Sequence, residues 1–399
     1  MKPILVVVAA GCLLLGALFL TQGVEAAWRW WNIPTMTPAF ADLRSITGGA
    51  DSYRAGYDPL IQNPGDPWGR PMNYPRIWQG LFWLGIDQGD TVPLGVGMAL
   101  ALLVGVLLVA WYADWPLALL WGTALFSPSV LLGVERGNSD LLMFFLLALG
   151  LWLAPRRRWF ALAAILAGFV LKLFPIFGLA LFLREPVVRL LRLLAIAVLV
   201  VLGYLALSWS DLVQIQGATP KDWWFSFGRE CFGIWLGQVV DAGKGWPPVA
   251  PWVILGLAVA ALWFDRVAPW RSPAEGYALD AFRLGAAVFL GAFLLGTNYN
   301  YRLAFLLFAL PQLLAWGREG AGGRRLLAWT MLAALLFSLW SPVGEPLLPG
   351  LQLWRDLYVV ADELANWALF GGMLLLFVHA LPAWMKFWRG ARFGLPDPG

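Results

Sequence analysis

Long, continuous apolar runs dominate the chain, and polar stretches of very different length separate them. A helix needs roughly 20 mostly apolar residues to cross about 30 Å of hydrocarbon, whereas a barrel strand alternates apolar and polar positions. Because the runs do not alternate, the pattern predicts membrane-spanning helices, whose backbone groups are satisfied within each segment. The predicted spans are residues 4–20, 92–112, 116–134, 139–154, 187–209, 250–264, 281–297, 303–316, 326–341 and 364–381.

The composition agrees with an integral membrane protein. Hydrophobic residues make up 60% and charged residues 13% of the chain, and the mean hydropathy is +0.70, far from the values of a water-soluble domain. We therefore predict an all-α polytopic fold of about 10–12 transmembrane helices, in one membrane domain over residues 1–399. Residues 1–209 are expected to hold the functional site and residues 250–399 to supply the C-terminal helices.

The apolar segment 160–183 is long enough to cross once, but Lys172 and Pro175 lie near its centre. Because cytoplasmic loops carry an excess of Lys and Arg, a single crossing would place one of its two flanking arginine clusters outside. We therefore predict a re-entrant helical hairpin, with a single kinked helix as the alternative. The hairpin puts on the cytoplasmic side both clusters and the later basic residues, namely Arg156, Arg157, Arg158, Arg184, Arg189, Arg192, Arg266, Arg271, Arg318, Arg324, Arg325, Lys386, Arg389 and Arg392.

Three stretches are then extracytoplasmic, residues 21–91, 210–249 and 342–363, and we expect them to carry helices that lie along the membrane surface. A secretory signal ending near residues 24–26 is an alternative for the first run; we favour a retained helix because the run is longer than a usual signal core. The net charge of +4 is explained by the cytoplasmic clusters, so nucleic acid is not an expected partner. We expect a multi-pass protein of a bacterial inner (plasma) membrane whose site faces the periplasm or the exterior.

The inventory of residues excludes several kinds of site. His379 is the single histidine of the sequence, so neither a His-rich metal site nor a Ser-His-Asp triad is expected. The sequence also lacks a Walker-type Gly-Lys-Ser/Thr loop, a paired-glycine dinucleotide fingerprint and an Asp-x-Asp pair. We therefore predict no metal and no cofactor, and the energy for a reaction must come from an activated substrate such as a lipid.

Carboxylates are concentrated in the first outer stretch and at a short outer junction, residues 135–140. Asp42 follows the first span, and its carboxylate can accept the proton of a sugar hydroxyl as the hydroxyl attacks. Asp58 precedes Pro59 and has turn formation as its alternative. The junction supplies Glu135, Arg136, Asn138 and Asp140, and capping of the next helix by Asn138 is the structural alternative there.

Basic and amide groups supply the other half of the predicted site. Lys172 lies in an apolar run, where an ammonium group is costly unless it faces water, an anion or an acidic partner. Arg302 ends the outer junction 298–302, where its guanidinium can bind a phosphate or anchor to phospholipid headgroups. The predicted phosphate-binding residues are Lys172, Arg302 and Arg136, and the predicted substrate-binding residues are Asp58, Tyr74, Glu135, Asn138, Asp140, Asn298 and Tyr301.

The combination resembles the polytopic glycosyltransferases of the GT-C superfamily, and within it the family-87 type, the polyprenol-phosphate-mannose-dependent mannosyltransferases. Three pieces within residues 40–183 carry the resemblance: Asp42 with Tyr53, Gly56 and Asp58-Pro59; Gly137-Asn138 at the start of a span; and Ala167-Gly-Phe-Val-Leu-Lys-Leu-Phe-Pro175. Two features depart from that family. Arg136-Gly-Asn-Ser-Asp140 stands where the family commonly has Asn-Gly-Gln, and residues 62–78 form an extended insert.

The resemblance implies a GT-C-like fold and an inverting transferase that uses a sugar linked to polyprenyl phosphate. The sugar would be mannose or another hexose or pentose, the acceptor a glycan or glycolipid, and the general base the aspartate at position 42. A lipid-phosphate donor carries its own leaving group, so the absence of a nucleotide site is expected. The competing hypothesis is a transporter or flippase of a lipid-linked sugar, because carriers also place charges at broken helices.

Overall fold

The protein is a largely helical polytopic membrane protein, described here by a computed structural model over residues 1–239, 245–268, 270, 273–320, 322–344 and 352–387. Its α-helices are α1 (Pro3–Gln22), α2 (Val24–Trp30), α3 (Ala41–Arg54), α4 (Gly80–Trp83), α5 (Thr91–Ala110), α6 (Trp115–Leu125), α7 (Pro128–Arg136), α8 (Asp140–Leu153), α9 (Arg158–Leu171), α10 (Val187–Ala218), α11 (Cys231–Val239), α12 (Trp246–Val267), α13 (Tyr277–Leu295), α14 (Leu310–Glu319), α15 (Gly322–Gly344) and α16 (Gln352–Ala380). The described 3-10 helices are Arg76–Gln79, Gln88–Asp90, Phe174–Arg184, Asn300–Ala309 and Ala383–Met385. Strand β1 (Ser226–Phe227) pairs antiparallel with β2 (Asn298–Tyr299), Ser226 opposite Tyr299.

Seven of the described helices are long and apolar enough to cross a membrane, and the bent pair α6 and α7 forms an eighth candidate. The prediction of an all-α polytopic membrane protein is therefore confirmed, while the count of about 10–12 spans stays a prediction. Helices α8 and α9 and the 3-10 helix Phe174–Arg184 are apolar but shorter. Predicted cytoplasmic residues Arg271, Arg389 and Arg392 lie outside the described residues, as do positions 240–244 of the second outer stretch and 345–351 of the third.

The predicted span 116–134 is broken into α6 and α7, whose axes differ by 54°. The hydroxyl of Ser127 accepts a hydrogen bond from the backbone N–H of Val130 and so begins a new helix. Pro128 follows at the first helical position, where its missing N–H costs nothing. The predicted span 303–316 is also divided, into the 3-10 helix Asn300–Ala309 and α14.

The chain reverses direction at Lys172, between α9 and the 3-10 helix Phe174–Arg184. Helix α9 has 14 residues and is about 21 Å long. If the 3-10 helix Phe174–Arg184 continued α9 in a straight line, the start of α9 and the end of the 3-10 helix would lie far apart. Instead, Arg158 at the start of α9 forms an ion pair with Glu185, 3.7 Å apart, just after the second element. Gly168 lets α9 and the 3-10 helix Phe174–Arg184 approach closely, because a Cβ at position 168 would lie 3.0 Å from Cβ of Pro175.

Ion pairs gather the basic segments at one end of the molecule. Arg184 pairs with Asp280 at 2.5 Å, and Arg318 pairs with Asp114 at 3.0 Å. Helix α8 begins at Asp140, which contacts Lys172, and ends shortly before Arg156. The basic end of the molecule therefore lies at the other end of α8 from Asp140 and Lys172.

Residues 21–91, which are predicted as the first outer stretch, fold over the end of α8 at which Asp140 and Lys172 meet. Helix α3 is largely buried although it is not apolar, because it packs against the insert 62–78. A Cβ on Gly48 would lie 2.4 Å from the carbonyl oxygen of Gly65, so the two backbones touch. The indole Nε1 of Trp78 donates to the carbonyl oxygen of Leu171 at 3.0 Å, which ties the insert to the tip of the hairpin.

Candidate functional site

A cavity of about 610 Å³ opens where the first outer stretch, the α7–α8 junction, the hairpin tip and the segment after α13 meet. Eight of the eleven predicted site residues line it, namely Asp42, Tyr74, Arg136, Asn138, Lys172, Asn298, Tyr301 and Arg302. Glu135 and Asp140 lie directly behind the wall, and both are buried. Asp58 lies outside the lining, so the cavity gives no geometric support to its predicted substrate contact.

Asp42 stands in the first turn of α3, where two flanking contacts fix its position. The preceding Phe40 has a left-handed backbone, with φ of 62°, and its N–H donates to the carbonyl oxygen of Glu135 at 3.2 Å. Oδ2 of Asp42 accepts a hydrogen bond from Nδ2 of Asn138 at 2.6 Å. Oδ1 makes no hydrogen bond with the described residues, so one carboxylate oxygen is left for a ligand.

Asn138 is held in one orientation by its neighbours. Its Oδ1 accepts from the N–H of Asp140 at 2.9 Å and from Nζ of Lys172 at 3.1 Å. Both partners are donors, so the amide oxygen must face them and the NH2 group must face the opposite way. That NH2 group reaches Asp42 and the hydroxyl of Tyr301, the latter at 3.0 Å. Asn138 thus bonds the N–H of the first residue of α8, although Ser139 is the N-cap of that helix, and it also contacts the cavity.

The backbone around Gly137 makes this arrangement possible. Gly137 ends α7 with φ of 59°, a left-handed conformation that costs glycine little. The N–H of Asn138 returns to the carbonyl oxygen of Gly133 at 3.0 Å. A Cβ at position 137 would lie 2.9 Å from Cβ of Phe40, so the glycine also lets α3 approach.

Asp140 joins two cations. Its Oδ1 lies 2.5 Å from Nζ of Lys172, and its Oδ2 accepts from Nε of Arg302 at 2.9 Å. Arg302 also donates through Nη1 to Oδ1 of Asn298, and its guanidinium lies 4.6 Å from the ring centroid of Phe174. The pairing explains how the three charged groups are tolerated at this depth, because an isolated buried charge would be far more costly.

The three predicted phosphate-binding residues differ in the donors they have left. Lys172 directs its ammonium group at Asp140, Asn138 and Ser139, the last at 3.2 Å, and an ammonium has three N–H donors. Arg302 retains Nη2 in the part of the chain that the structure describes. Arg136 donates to Glu135 through Nη1, at 2.5 Å, and retains Nε and Nη2. The guanidinium groups are therefore better placed to bind an anion than the lysine.

Glu135 connects the junction to the segment before α3. One of its oxygens accepts from Arg136 and the other from the N–H of Met36 at 3.0 Å. Its side chain is 3% exposed, so it orients Arg136 and does not meet a ligand directly.

The insert 62–78 contributes Arg70 and Tyr74 to the lining. Arg70 donates to both oxygens of Asp66 and to the carbonyl oxygen of Ala41, the residue before Asp42. Burial lowers the pKa of Arg70, but the hydrogen bond and charge of Asp66 outweigh burial and raise it. Burial, with the charges of Asp42 and Asp140, raises the pKa of Tyr74, so its hydroxyl keeps its proton.

Asp58 has a different role in this structure. Leu60 N–H donates to Asp58 at 3.1 Å, in agreement with the turn alternative. Arg76 binds Asp58 at 3.0 Å and Asp211 at 2.9 Å, and so ties the first outer stretch to α10. Burial raises the pKa of Asp58, but the hydrogen bond and charge of Arg76 outweigh it and lower the pKa.

The lining also includes polar or aromatic residues that were not among the predicted site residues, and Arg70, Asp222 and Tyr299 are three of them. Arg70 lies in the insert that departs from the family pattern, which was the available signal for it. Asp222 accepts from the N–H groups of Trp223 and Trp224 at 2.7 and 3.2 Å, a turn that no motif predicts. Trp224 lines the cavity, whereas Trp223 and Trp235 of the same predicted outer stretch lie outside the lining.

Comparison of the chain with protein-family models, with curated proteins and with solved structures gives no match.

Proposed function

We propose that the protein is a membrane glycosyltransferase that moves a sugar from a polyprenyl-phosphate donor to the hydroxyl of a glycan or glycolipid. One observation carries the proposal: a carboxylate with a free oxygen, Asp42, shares a cavity with two guanidinium groups that have free N–H donors, Arg302 and Arg136. This combination supplies a base for an attacking hydroxyl and cations for a departing phosphate.

The proposed reaction is a single displacement at the anomeric carbon. The acceptor oxygen attacks that carbon from the face opposite the phosphate, and Oδ1 of Asp42 takes the hydroxyl proton. The bond between the anomeric carbon and the phosphate oxygen breaks, and polyprenyl phosphate leaves with the electron pair. The new glycosidic bond therefore has inverted configuration.

In this proposal the cavity residues divide into two groups. Arg302 and Arg136 bind the phosphate through their free N–H groups and stabilise the negative charge that grows as it leaves. Lys172 is a positioning residue, because its donors hold Asn138, Ser139 and Asp140, although its charge still adds to the local potential. Asn298 and Asp140 orient Arg302.

The proposal places the cavity on the extracytoplasmic side and α9 with Phe174–Arg184 in the membrane as a re-entrant hairpin. The gathering of Arg158, Arg184 and Arg318 at the opposite end supports this orientation, since short basic segments stay in the cytoplasm. The likeness to GT-C glycosyltransferases of the family-87 type belongs to the same proposal, as does a location in a bacterial inner membrane.

The experiment is a transfer assay with the purified protein, candidate polyprenyl-phosphate sugars and a glycolipid extract, with free polyprenyl phosphate measured by mass analysis. Asp42→Asn should lower the rate by about 10²- to 10⁴-fold, the usual contribution of a general base. Asp58→Asn is the matched control, because Asp58 is an outer carboxylate outside the cavity, and it should stay within a few-fold of the parent. Full activity of a correctly inserted Asp42→Asn protein would refute the assignment of the base.

A further inference from the structure

A second polar cluster, in α15 and α16, lies outside the proposed site. Asp362 and Glu363 are consecutive on α16, and Asn366 follows one turn later. Helices α15 and α16 pack against each other, and the hydroxyl of Tyr358 on α16 donates to the carbonyl oxygen of Ser341 on α15 at 2.7 Å. Ser338 lies one turn before Ser341 on α15, and Tyr358 lies one turn before Asp362 on α16, so the packing of the two helices places these polar residues on neighbouring turns.

Four oxygen atoms of this cluster are buried and have no hydrogen-bond partner: Oδ1 of Asp362, Oε2 of Glu363, Oδ1 of Asn366 and Oγ of Ser338. Asn366 and Ser338 are completely buried, and Glu363 is 4% exposed. The amide of Asn366 is aimed at the acids, because its Nδ2 donates to Oδ2 of Asp362 at 3.2 Å. The carboxyl and amide oxygens are acceptors, and what they lack is a proton or a cation, whereas the hydroxyl of Ser338 can both donate and accept.

No described protein group provides the missing positive charge. The ion pairs of the described lysines and arginines include neither Asp362 nor Glu363. The titratable groups that face the pair are the thiol of Cys231, from α11, and Tyr358, which donates to the carbonyl oxygen of Ser341. Helices α12 and α13 present aromatic rings to the neighbouring Trp367. Two adjacent carboxyl groups among apolar helices cannot both be charged without a counter-ion.

We propose that Asp362 and Glu363 bind one monovalent cation, either a proton or Na⁺, with Asn366 and Ser338 completing the site. Oxygen ligands of this kind suit a hard cation. This site is separate from the sugar-transfer cavity and does not depend on the proposed enzyme activity.

The first test is thermal unfolding of the purified full chain in detergent, in NaCl and in choline chloride of equal ionic strength. A bound Na⁺ raises the unfolding midpoint by mass action, because it binds the folded state only. Glu363→Gln should weaken this response about tenfold in Na⁺ concentration, whereas Asp356→Asn should leave it unchanged. Asp356 is the control because it is an acid of the same helix that bonds Gln352 at the surface. If Glu363→Gln does not fold, Asn366→Leu removes an oxygen ligand while both acids remain.

The second test uses a hydrophobic carbodiimide, which modifies protonated carboxyl groups in apolar surroundings, with the adduct located by peptide mass analysis. A Na⁺-dependent midpoint, with labelling that Na⁺ suppresses, identifies Na⁺ as the occupant. Labelling of Glu363 or Asp362 that falls as the pH rises, whatever the Na⁺ concentration, identifies a proton. Neither a Na⁺ effect nor carbodiimide labelling of the folded protein would overturn the proposal.

Discussion

Asn138 is the residue through which the two halves of the cavity are joined. It contacts the candidate base on one side and Lys172 on the other, and its orientation is fixed by two donors. A carboxylate at this position could still accept from Lys172 and from the N–H of Asp140. It could no longer donate to Asp42, and a second negative charge would stand 2.6 Å away from the first.

Asn138→Asp should therefore shift the pH dependence of transfer. Two carboxylates in contact disfavour the state in which both are charged, so the pair retains a proton to higher pH. A base must be deprotonated to act, and the acidic limb of kcat/KM should move upward by about one pH unit or more. A pH-rate profile measures the shift. An unchanged profile with a uniformly lower rate would indicate that Asn138 is only structural.

Arg302 and Lys172 are expected to respond differently to exchange of one cation for the other. Arg302→Lys keeps the charge beside Asp140 but removes the free Nη2 donors, so KM for the donor should rise about tenfold or more, the cost of a hydrogen bond to a charged group. Lys172→Arg replaces a compact ammonium group, which three acceptors surround, with a planar guanidinium group. This change should lower kcat with little change in KM. Steady-state kinetics at varied donor concentration separate the two effects, and a donor KM that rises only for Lys172→Arg would reverse the assignment.

Residue types could be predicted from the sequence, but their partners could not. Lys172 was selected because a cationic group is costly in an apolar run, and Asp42, Asn138 and Arg302 because they lie in predicted outer loops and junctions. Their pairings span long separations, since Asp42 lies 96 residues from Asn138 and Arg302 lies 162 residues from Asp140. For this reason the sequence did not indicate that Lys172 has its donors occupied.

At the scale of elements, α3 and the insert form one unit that carries the candidate base. Gly48 and Gly65 let the two backbones touch, and a Cβ on either glycine would meet the carbonyl oxygen of the other at 2.4 Å or less. Gly48→Ala forces the insert, with Arg70 and Tyr74, away from α3. We expect a loss of about 1–3 kcal/mol in the free energy of unfolding, typical of overpacking, together with a lower transfer rate.

Gly97→Ala is the matched control for this prediction. Gly97 lies inside α5, and a Cβ there would meet nothing within 4 Å. Alanine is the better helix former by about 1 kcal/mol, so the control should be neutral or slightly stabilising. Thermal unfolding and the transfer assay measure both variants. Equal behaviour of the two would show that the contact between Gly48 and Gly65 does not hold the insert.

The long apolar helices could be predicted from the apolar runs of the sequence. A break within a run could be predicted only where a residue type, such as proline, signals it. Pro128 after Ser127 signals the break between α6 and α7, because proline favours the first position of a helix. Pro311 likewise stands in the first turn of α14, but nothing marks the preceding segment Asn300–Ala309 as a 3-10 helix, since a 3-10 and an α-helix require similar residues. The re-entrant hairpin around Lys172 stays a prediction from charge: α9 is apolar on its own, and only its flanking arginines distinguish a hairpin from a crossing.

At the scale of the whole molecule, the cavity and the basic end lie at opposite ends of the short helix α8. The clearest consequence concerns the hairpin, whose two ends carry Arg157 and Arg189. A re-entrant segment leaves both positions on one side of the membrane, whereas a single crossing separates them. The pair Arg158 and Glu185 already brings these ends within 3.7 Å, so a crossing would require that contact to break.

Single cysteines at Arg157→Cys and Arg189→Cys, in a Cys12→Ser, Cys231→Ser background, should react with a membrane-impermeant maleimide only after the membrane is opened. Ile61→Cys, an exposed position of the first outer stretch, should react in intact cells and serves as the control. Labelling of positions 157 and 189 from opposite sides would exclude the hairpin. A single crossing would also invert every later loop and would put Asn298 and Arg302 on the side of the membrane opposite Asp42. Because one cavity is lined by all three residues, we expect positions 157 and 189 to react only after the membrane is opened.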